Sequence, residues 1–187
     1  FWGRVATGVV QVGQQIKVLP SGQSATVAQV LTHTRRTGSV RAGHSAGIVL
    51  DREVDVSRGD WLLASESAGE QAEDDFDVKP GIFDASRDLK ATIAWMDDEP
   101  LIAGRVYLAL HGHRWIKAKV KRIVHRLDIN TLAEEDASQL SANSIGHVEL
   151  TLQEAVATLP YSQSRVLGSL VLVDTASHKT AGAVLIN

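Results

Sequence analysis

Gly43-His44-Ser45-Ala46-Gly47 has the Gly-x-Ser-x-Gly form that can lift a serine nucleophile onto a sharp strand-to-helix turn. That chemistry needs a helix after the serine and an acid and a histidine downstream. Here Ile48-Val49-Leu50 follow, and such residues favour a strand, so a turn into a strand is expected rather than an esterase. His111-Gly112-His113 sets two imidazoles beside a turn. Zinc wants three or four fixed ligands and the chain has no cysteine to add, so a solvated turn is expected there. His125 lies in the run Ile123 to Ile129 and is expected to face the core as a hydrogen-bonded structural residue. Asp97, Asp98 and Glu99 form a tight carboxylate trio. Adjacent strand residues point to opposite faces, so a turn closed by Pro100 is expected rather than a cation site. No residue is assigned to catalysis, to a cofactor or to a metal.

Phosphate chemistry is tested by its required parts. A P-loop needs Gly-x-x-x-x-Gly-Lys-Ser/Thr, so that backbone N–H groups and a lysine meet the phosphates. The sequence has no Gly-Lys pair, no Asp-x-x-Gly and no Asn-Lys-x-Asp, so these residues form no GTP site by that mechanism. Residues 105 to 127 carry Arg105, Arg114, Lys117, Lys119, Lys121, Arg122 and Arg126 with no acidic residue among them. Such a stretch can meet phosphates or an acidic protein surface, and Trp115 beside it can stack on a base. A solvated sheet face with lysine stems lying along it fits the same pattern. Arg58-Gly59-Asp60, although an integrin-binding tripeptide, is expected to serve as a turn before Trp61-Leu62-Leu63.

These groups must be held by short strands. Arg4 to Val12, Gln15 to Leu19 and Ala25 to Leu31 are rich in β-branched residues and are separated by Gly13 and by Pro20-Ser21-Gly22. Links this short predict antiparallel sheets. Ser45 to Leu50 continues the first barrel. Further on, Leu89 to Met96, Arg105 to Leu110, Trp115 to Asp128, Gly146 to Leu152, Leu167 to Val173 and Thr180 to Ile186 are the strand candidates. Along Trp115 to Arg122, Ile116, Ala118 and Val120 alternate with Lys117, Lys119 and Lys121, which predicts a barrel strand with a basic outer face. The apolar phase then slips to Ile123, Leu127 and Ile129, so a bulge is expected near Arg122. Only Thr131 to Leu140 is expected to form a short helix. Glu66, Glu70, Glu73, Asp74, Asp75, Asp77 and Asp84 crowd a segment with few apolar anchors, which predicts a linker over 66–86 between a barrel at 1–65 and a second at 87–187.

With 187 residues, 19 basic and 22 acidic, charge argues for neither a nucleic-acid coat nor an acidic tail. No apolar run approaches the roughly 20 residues of a membrane span, and no signal peptide is visible. The chain starts inside a strand-like run at Phe1, as an excised fragment would.

Two resemblances cover nearly the whole chain. Gly3-x-Val5-x-x-Gly8-x-Val10-x-x-Gly13-x-x-Ile16-x-Val18-x-Pro20-x-Gly22 resembles the opening of the second domain of translation-factor-type (elongation factor Tu-like) GTPases. That likeness runs to about residue 64. Ala94-Trp95-Met96-Asp97-Asp98-Glu99-Pro100-Leu101, with Gly104 and Tyr107, is a sharper string. With Ile123-Val124-His125-Arg126-Leu127-Asp128-Ile129-Asn130-Thr131-Leu132 and Asn143-Ser144-Ile145-Gly146, it resembles the third domain of the large, GTP-binding subunits of bacterial sulfate adenylyltransferase. Ser164-Arg165 stands where that family has Asn-Arg. Val184 occupies the family's last glycine position, and Gly182 comes earlier.

The resemblance implies an all-β fold of two consecutive small antiparallel β-barrels, of the translation-factor domain 2 and domain 3 type. It implies a non-catalytic portion of a cytoplasmic heterodimer, with no cofactor in this fragment. GTP and Mg would lie in an N-terminal GTPase domain. A smaller catalytic subunit would join ATP and sulfate to give adenylyl sulfate and pyrophosphate, for sulfate assimilation and cysteine biosynthesis. The partners implied are that subunit and the GTPase domain, with no membrane and no nucleic acid, and the partner-binding candidates are Lys117, Lys119, Lys121 and Arg122. The competing reading is a translation-factor fragment that binds aminoacyl-tRNA through the same basic strand.

Overall fold

The computed structural model describes residues 1–33, 35–65 and 84–187. These fall into two compact units divided between Phe83 and Asp84. Every regular element among them is a β-strand. The linker expectation rests mostly on residues 66–83, which lie outside the described residues.

The first unit contains β1 (Trp2–Arg4), β2 (Val9–Gln11), β3 (Gln15–Leu19), β4 (Ser24–Thr32), β5 (Arg35–Thr37), β6 (Ser39–Arg41), β7 (Ser45–Leu50) and β8 (Trp61–Ala64). The order β1-β7-β4-β3-β8, with β5 on β4, makes an antiparallel sheet. Its inner face carries Ile16, Ala25, Val27, Val30, Ala46 and Ile48. The separate β2–β6 ribbon adds Val40, with Val10 packed against the same core. The run Arg4 to Val12 is two strands rather than one, because Gly8 turns the chain at φ 65° and sends β1 and β2 to different partners.

The second unit contains β9 (Asp84–Trp95), β10 (Leu101–Ile102), β11 (Val106–His111), β12 (Arg114–Leu127), β13 (Glu134–Glu135), β14 (Gln139–Leu140), β15 (Ser144–Thr158), β16 (Ser169–Val173) and β17 (Thr180–Ile186). Strands β11-β16-β17-β9-β15-β12 close into a ring through the β11–β12 pairing, so this barrel has no free edge between them. Leu89, Ala91, Ile93, Trp95, Tyr107, Val120, Leu150, Leu172 and Val184 fill it. The β10–β14 pair buries Leu101 and Leu140 in the same cluster. Strand β9 starts at Asp84, before the expected position, because residues 84–86 pair with the long tail of β15 at 156–158.

The short helix expected over Thr131 to Leu140 does not form. Asp128 Oδ1 accepts the backbone N–H groups of Asn130 and Thr131, each at 2.8 Å, and the Thr131 hydroxyl at 3.0 Å. Leu132 then takes φ 58°, and Glu134–Glu135 pair with β12 as β13. Asp128 N–H also donates to Ala133 O at 2.9 Å, so the chain reverses tightly here, and the left-handed conformation of Leu132 interrupts any helical run.

Candidate functional site

The outer face of β12 is built by strict alternation. Ile116, Ala118 and Val120 are buried in the barrel, while Lys117, Lys119 and Lys121 stand on the opposite side. Between Val120 and Arg122 the register shifts, which turns Arg122 outward as well, so all four cations share one surface. Neighbouring strands supply carboxylates that the β12 sequence lacks. Arg122 donates to Glu149 Oε1 at 2.7 Å and holds that carboxyl below its usual range. Arg114 donates to Glu154 Oε2 at 2.8 Å, and Lys121 lies 3.9 Å from Asp88. Lys117 and Lys119 lie opposite Leu108 and Val106 of β11, where their stems can cover apolar surface. The basic face is therefore partly neutralised, and its cationic reach is concentrated at Lys117 and Lys119.

The Trp95 to Pro100 string builds structure. Trp95 is buried, donates its indole N–H to Glu99 O at 2.8 Å, and meets the Tyr107 ring edge-on at 5.4 Å. Arg105 ties this turn to the loop after β16, donating to Glu99 Oε2 at 2.6 Å and Asp174 Oδ2 at 2.9 Å, with its guanidinium over the Tyr107 ring. Burial pushes the Tyr107 hydroxyl up to about 12. Asp97, Asp98 and Glu99 lie in the bend between β9 and β10, where Asp97 Oδ1 accepts the Glu99 N–H at 3.3 Å.

Asp174 is buried, and its Oδ1 accepts the N–H groups of Ser177 at 2.8 Å and Ala176 at 3.0 Å. These bonds and Arg105 hold its carboxyl well below the usual carboxylate range. A depressed carboxylate contributes stability above its unfolded pKa of about 4, and that contribution is lost as pH falls through the folded value. Asp174→Asn should therefore lower Tm near neutral pH. Melting curves taken at falling pH should show the gap to the parent chain closing below about pH 4. A constant gap would mean that the charge of Asp174 is not what stabilises this end of the barrel.

The other candidates fall apart as sites. Ser45 opens β7 opposite Arg4 and is followed by strand, so no nucleophile elbow forms. Asp60 accepts from Ser57 N at 2.9 Å around Gly59 at φ 97°, a turn as expected. The pair at 111 and 113 is split. His113 is exposed, but His111 is fully buried, with Nε2 3.1 Å from Leu167 O, so the solvated turn holds only for His113. Burial lowers the pKa of His111 and favours the neutral ring. His125 does not face the core. It lies on the outer surface of β12, opposite His147 of β15 and beside Glu134 of β13. His147 and Glu134 carried no signal in the sequence, because neither neighbours His125 along the chain. Ile129, expected on the apolar phase, is 66% exposed.

The two departures from the resembled pattern have local explanations. Gly182 pairs with Trp95, and a Cβ there would come within 3.0 Å of the indole, so this glycine makes room for the ring. Val184 fills the core instead. Ser164 Oγ accepts from Leu167 N at 3.3 Å, and its carbonyl accepts from Gly168 N at 2.8 Å, which closes the loop before β16.

Residues 88–187 match the family described as GTP-eEF1A C-terminal domain-like. Over 186 residues, all of this chain, the sequence is 35% identical to sulfate adenylyltransferase subunit 1 of Tolumonas auensis and 38% identical to that of Citrobacter koseri. It is 36% identical over 183 residues to the bifunctional enzyme CysN/CysC of Xylella fastidiosa. The chain spans 36% of the length of the first two relatives and 27% of the third. A crystal structure of Sup35 complexed with GDP superposes with a TM-score of 0.81 at 16% identity, covering 99% of this chain and 42% of that one, a likeness of fold.

Proposed function

The chain belongs to the GTP-eEF1A C-terminal domain-like family, and on that premise we propose that it is the two-barrel portion of a sulfate adenylyltransferase GTP-binding subunit. The observation that carries this reading is the likeness to subunit 1 along the whole chain, at 35% and 38% identity. In this reading the barrels hold no reacting group. GTP and its Mg ion belong to a GTPase domain elsewhere in the parent protein. The barrels pass the nucleotide state of that domain to a smaller catalytic subunit by rigid-body movement, a recognised mode of switching. That subunit joins ATP and sulfate in the cytoplasm, in sulfate assimilation. Among the described residues no helix is long and apolar enough to cross a membrane.

The outer face of β12 is the proposed contact, with Lys117, Lys119, Lys121 and Arg122 meeting an acidic surface. Exposed charges of this kind set association rate and salt dependence more than they set fold stability. The triple variant Lys117→Glu, Lys119→Glu, Lys121→Glu should melt close to the parent, since surface changes stay within about 0.5 kcal/mol each. Surface plasmon resonance on the parent assembly should show complex formation with the catalytic subunit weakened at low salt. Unaltered subunit affinity at low salt would leave the strand as a solvated face. Loss of transfer-RNA binding with the subunit complex intact would favour the translation-factor reading.

A further inference from the structure

Three side chains from three neighbouring strands meet on the outer wall of the second barrel. His125 and His147 are directly opposed across β12 and β15. Glu134 comes from β13, one step along, where it pairs with Leu127. Alternation puts Leu127 on the face of His125, so Glu134 and both imidazoles share one surface. One donor atom from each of the three lies within 4.8 Å of the other two. We propose that His125, His147 and Glu134 bind a first-row divalent cation of the zinc type.

Several observations support a cation rather than a plain ion pair. His125 Nε2 is shielded from solvent yet makes no hydrogen bond. It lies 3.3 Å from Glu134 Oε1 without the alignment of a hydrogen bond. Two ligand atoms at about 2.0–2.1 Å from a tetrahedral ion lie roughly 3.3 Å apart, so this pair already has the spacing of a coordination edge. An ion pair would also leave His147 unexplained. Its ring stands at 70° to His125 with the centroids 4.4 Å apart, so the two imidazoles present their nitrogens to one small volume beside Glu134. A cation bound by both rings uses the pair as it stands.

The surroundings fix the third ligand. Arg126, the nearest competing cation along β12, is taken by Glu135, which leaves Glu134 to the imidazoles. The Asp128 clamp on Asn130 and Thr131 sets the return of the chain into β13. The Glu134 side chain is 66% exposed, so its carboxylate is free to turn toward both rings. Two imidazoles and one carboxylate suit zinc and its neighbours, whereas magnesium prefers oxygen ligands and water. A fourth position stays open to solvent, so water or a small anion completes the shell.

The test is calorimetric titration of the untagged 187-residue chain with zinc chloride near neutral pH. One equivalent should bind with affinity in the micromolar range, and saturation should raise Tm, since binding to the folded state alone stabilises it. His147→Ala and Glu134→Gln should each weaken binding about tenfold or more, while His113→Gln, at an exposed histidine elsewhere, should leave it unchanged. Glu134→Gln keeps the size of an exposed side chain and guards against loss of fold. Binding no tighter than millimolar, equal affinity in the His147 variant, or displacement of zinc by equimolar magnesium would overturn the assignment.

Discussion

Val120→Asp is expected to unfold the second barrel. Val120 has no exposed surface, pairs with Leu150 of β15 and sits in the cluster that includes Ile93, Tyr107 and Leu172. Lys119 and Lys121 point to the opposite side of the strand, and Arg105, which adjoins this position just before β11, is already held by Glu99 and Asp174, so a carboxylate there would be buried without a cation of its own. An unpaired buried charge costs several kcal/mol, against a total stability of about 5–15 kcal/mol for a domain. Soluble yield should collapse, and the remaining protein should lose its cooperative melt. Val120→Ala should cost far less, since it removes only methyl groups. A Val120→Asp chain with parental Tm would mean that the strand can slip and expose this position.

Trp95→Ala should come next in size. The indole is 1% exposed, packs on Tyr107 and occupies the space that Gly182 leaves open. Removing it takes away apolar contact and leaves a void that the closed ring cannot collapse into, a loss of about 3–5 kcal/mol. The bond to Glu99 O goes with it, freeing the turn that presents Glu99 to Arg105. Trp95→Phe separates the two effects. It keeps a ring in the core but removes the N–H donor together with part of the indole, so the lost bond, about 0.5–1.5 kcal/mol, is joined by a smaller cavity term. Chemical denaturation with both variants measures each part. Equal losses would assign the whole role of the indole to its hydrogen bond.

Trp95 belongs to the string through which the sequence resembles the sulfate adenylyltransferase subunit, and the structure gives the string a role within the fold. Its carboxylates serve a turn and an arginine clamp. Arg105 and Asp174 are 69 positions apart, so nothing local in the sequence pairs them. The pairing of β11 with β16 is what brings them together.

The sequence by itself determined the all-β class, the alternation of β12 and the absence of the parts that make a GTP site, because each depends on neighbours along the chain. A period of two decides which of Ile116 to Lys121 are buried, whatever the barrel looks like. A missing Gly-Lys pair is missing in any fold. Tertiary structure alone decided the helix and the histidines. At Thr131 to Leu140 a tight reversal between Asp128 and Ala133 and the pairing of Glu134–Glu135 with β12 drew the segment into the sheet. At His125 the cause is a second register shift, between Ile123 and His125, in addition to the one expected near Arg122. Each extra residue reverses the parity of every side chain beyond it. One shift would have kept His125 on the side of Ile123, facing the core. Two put it outside, opposite His147, where β13 brings Glu134 alongside.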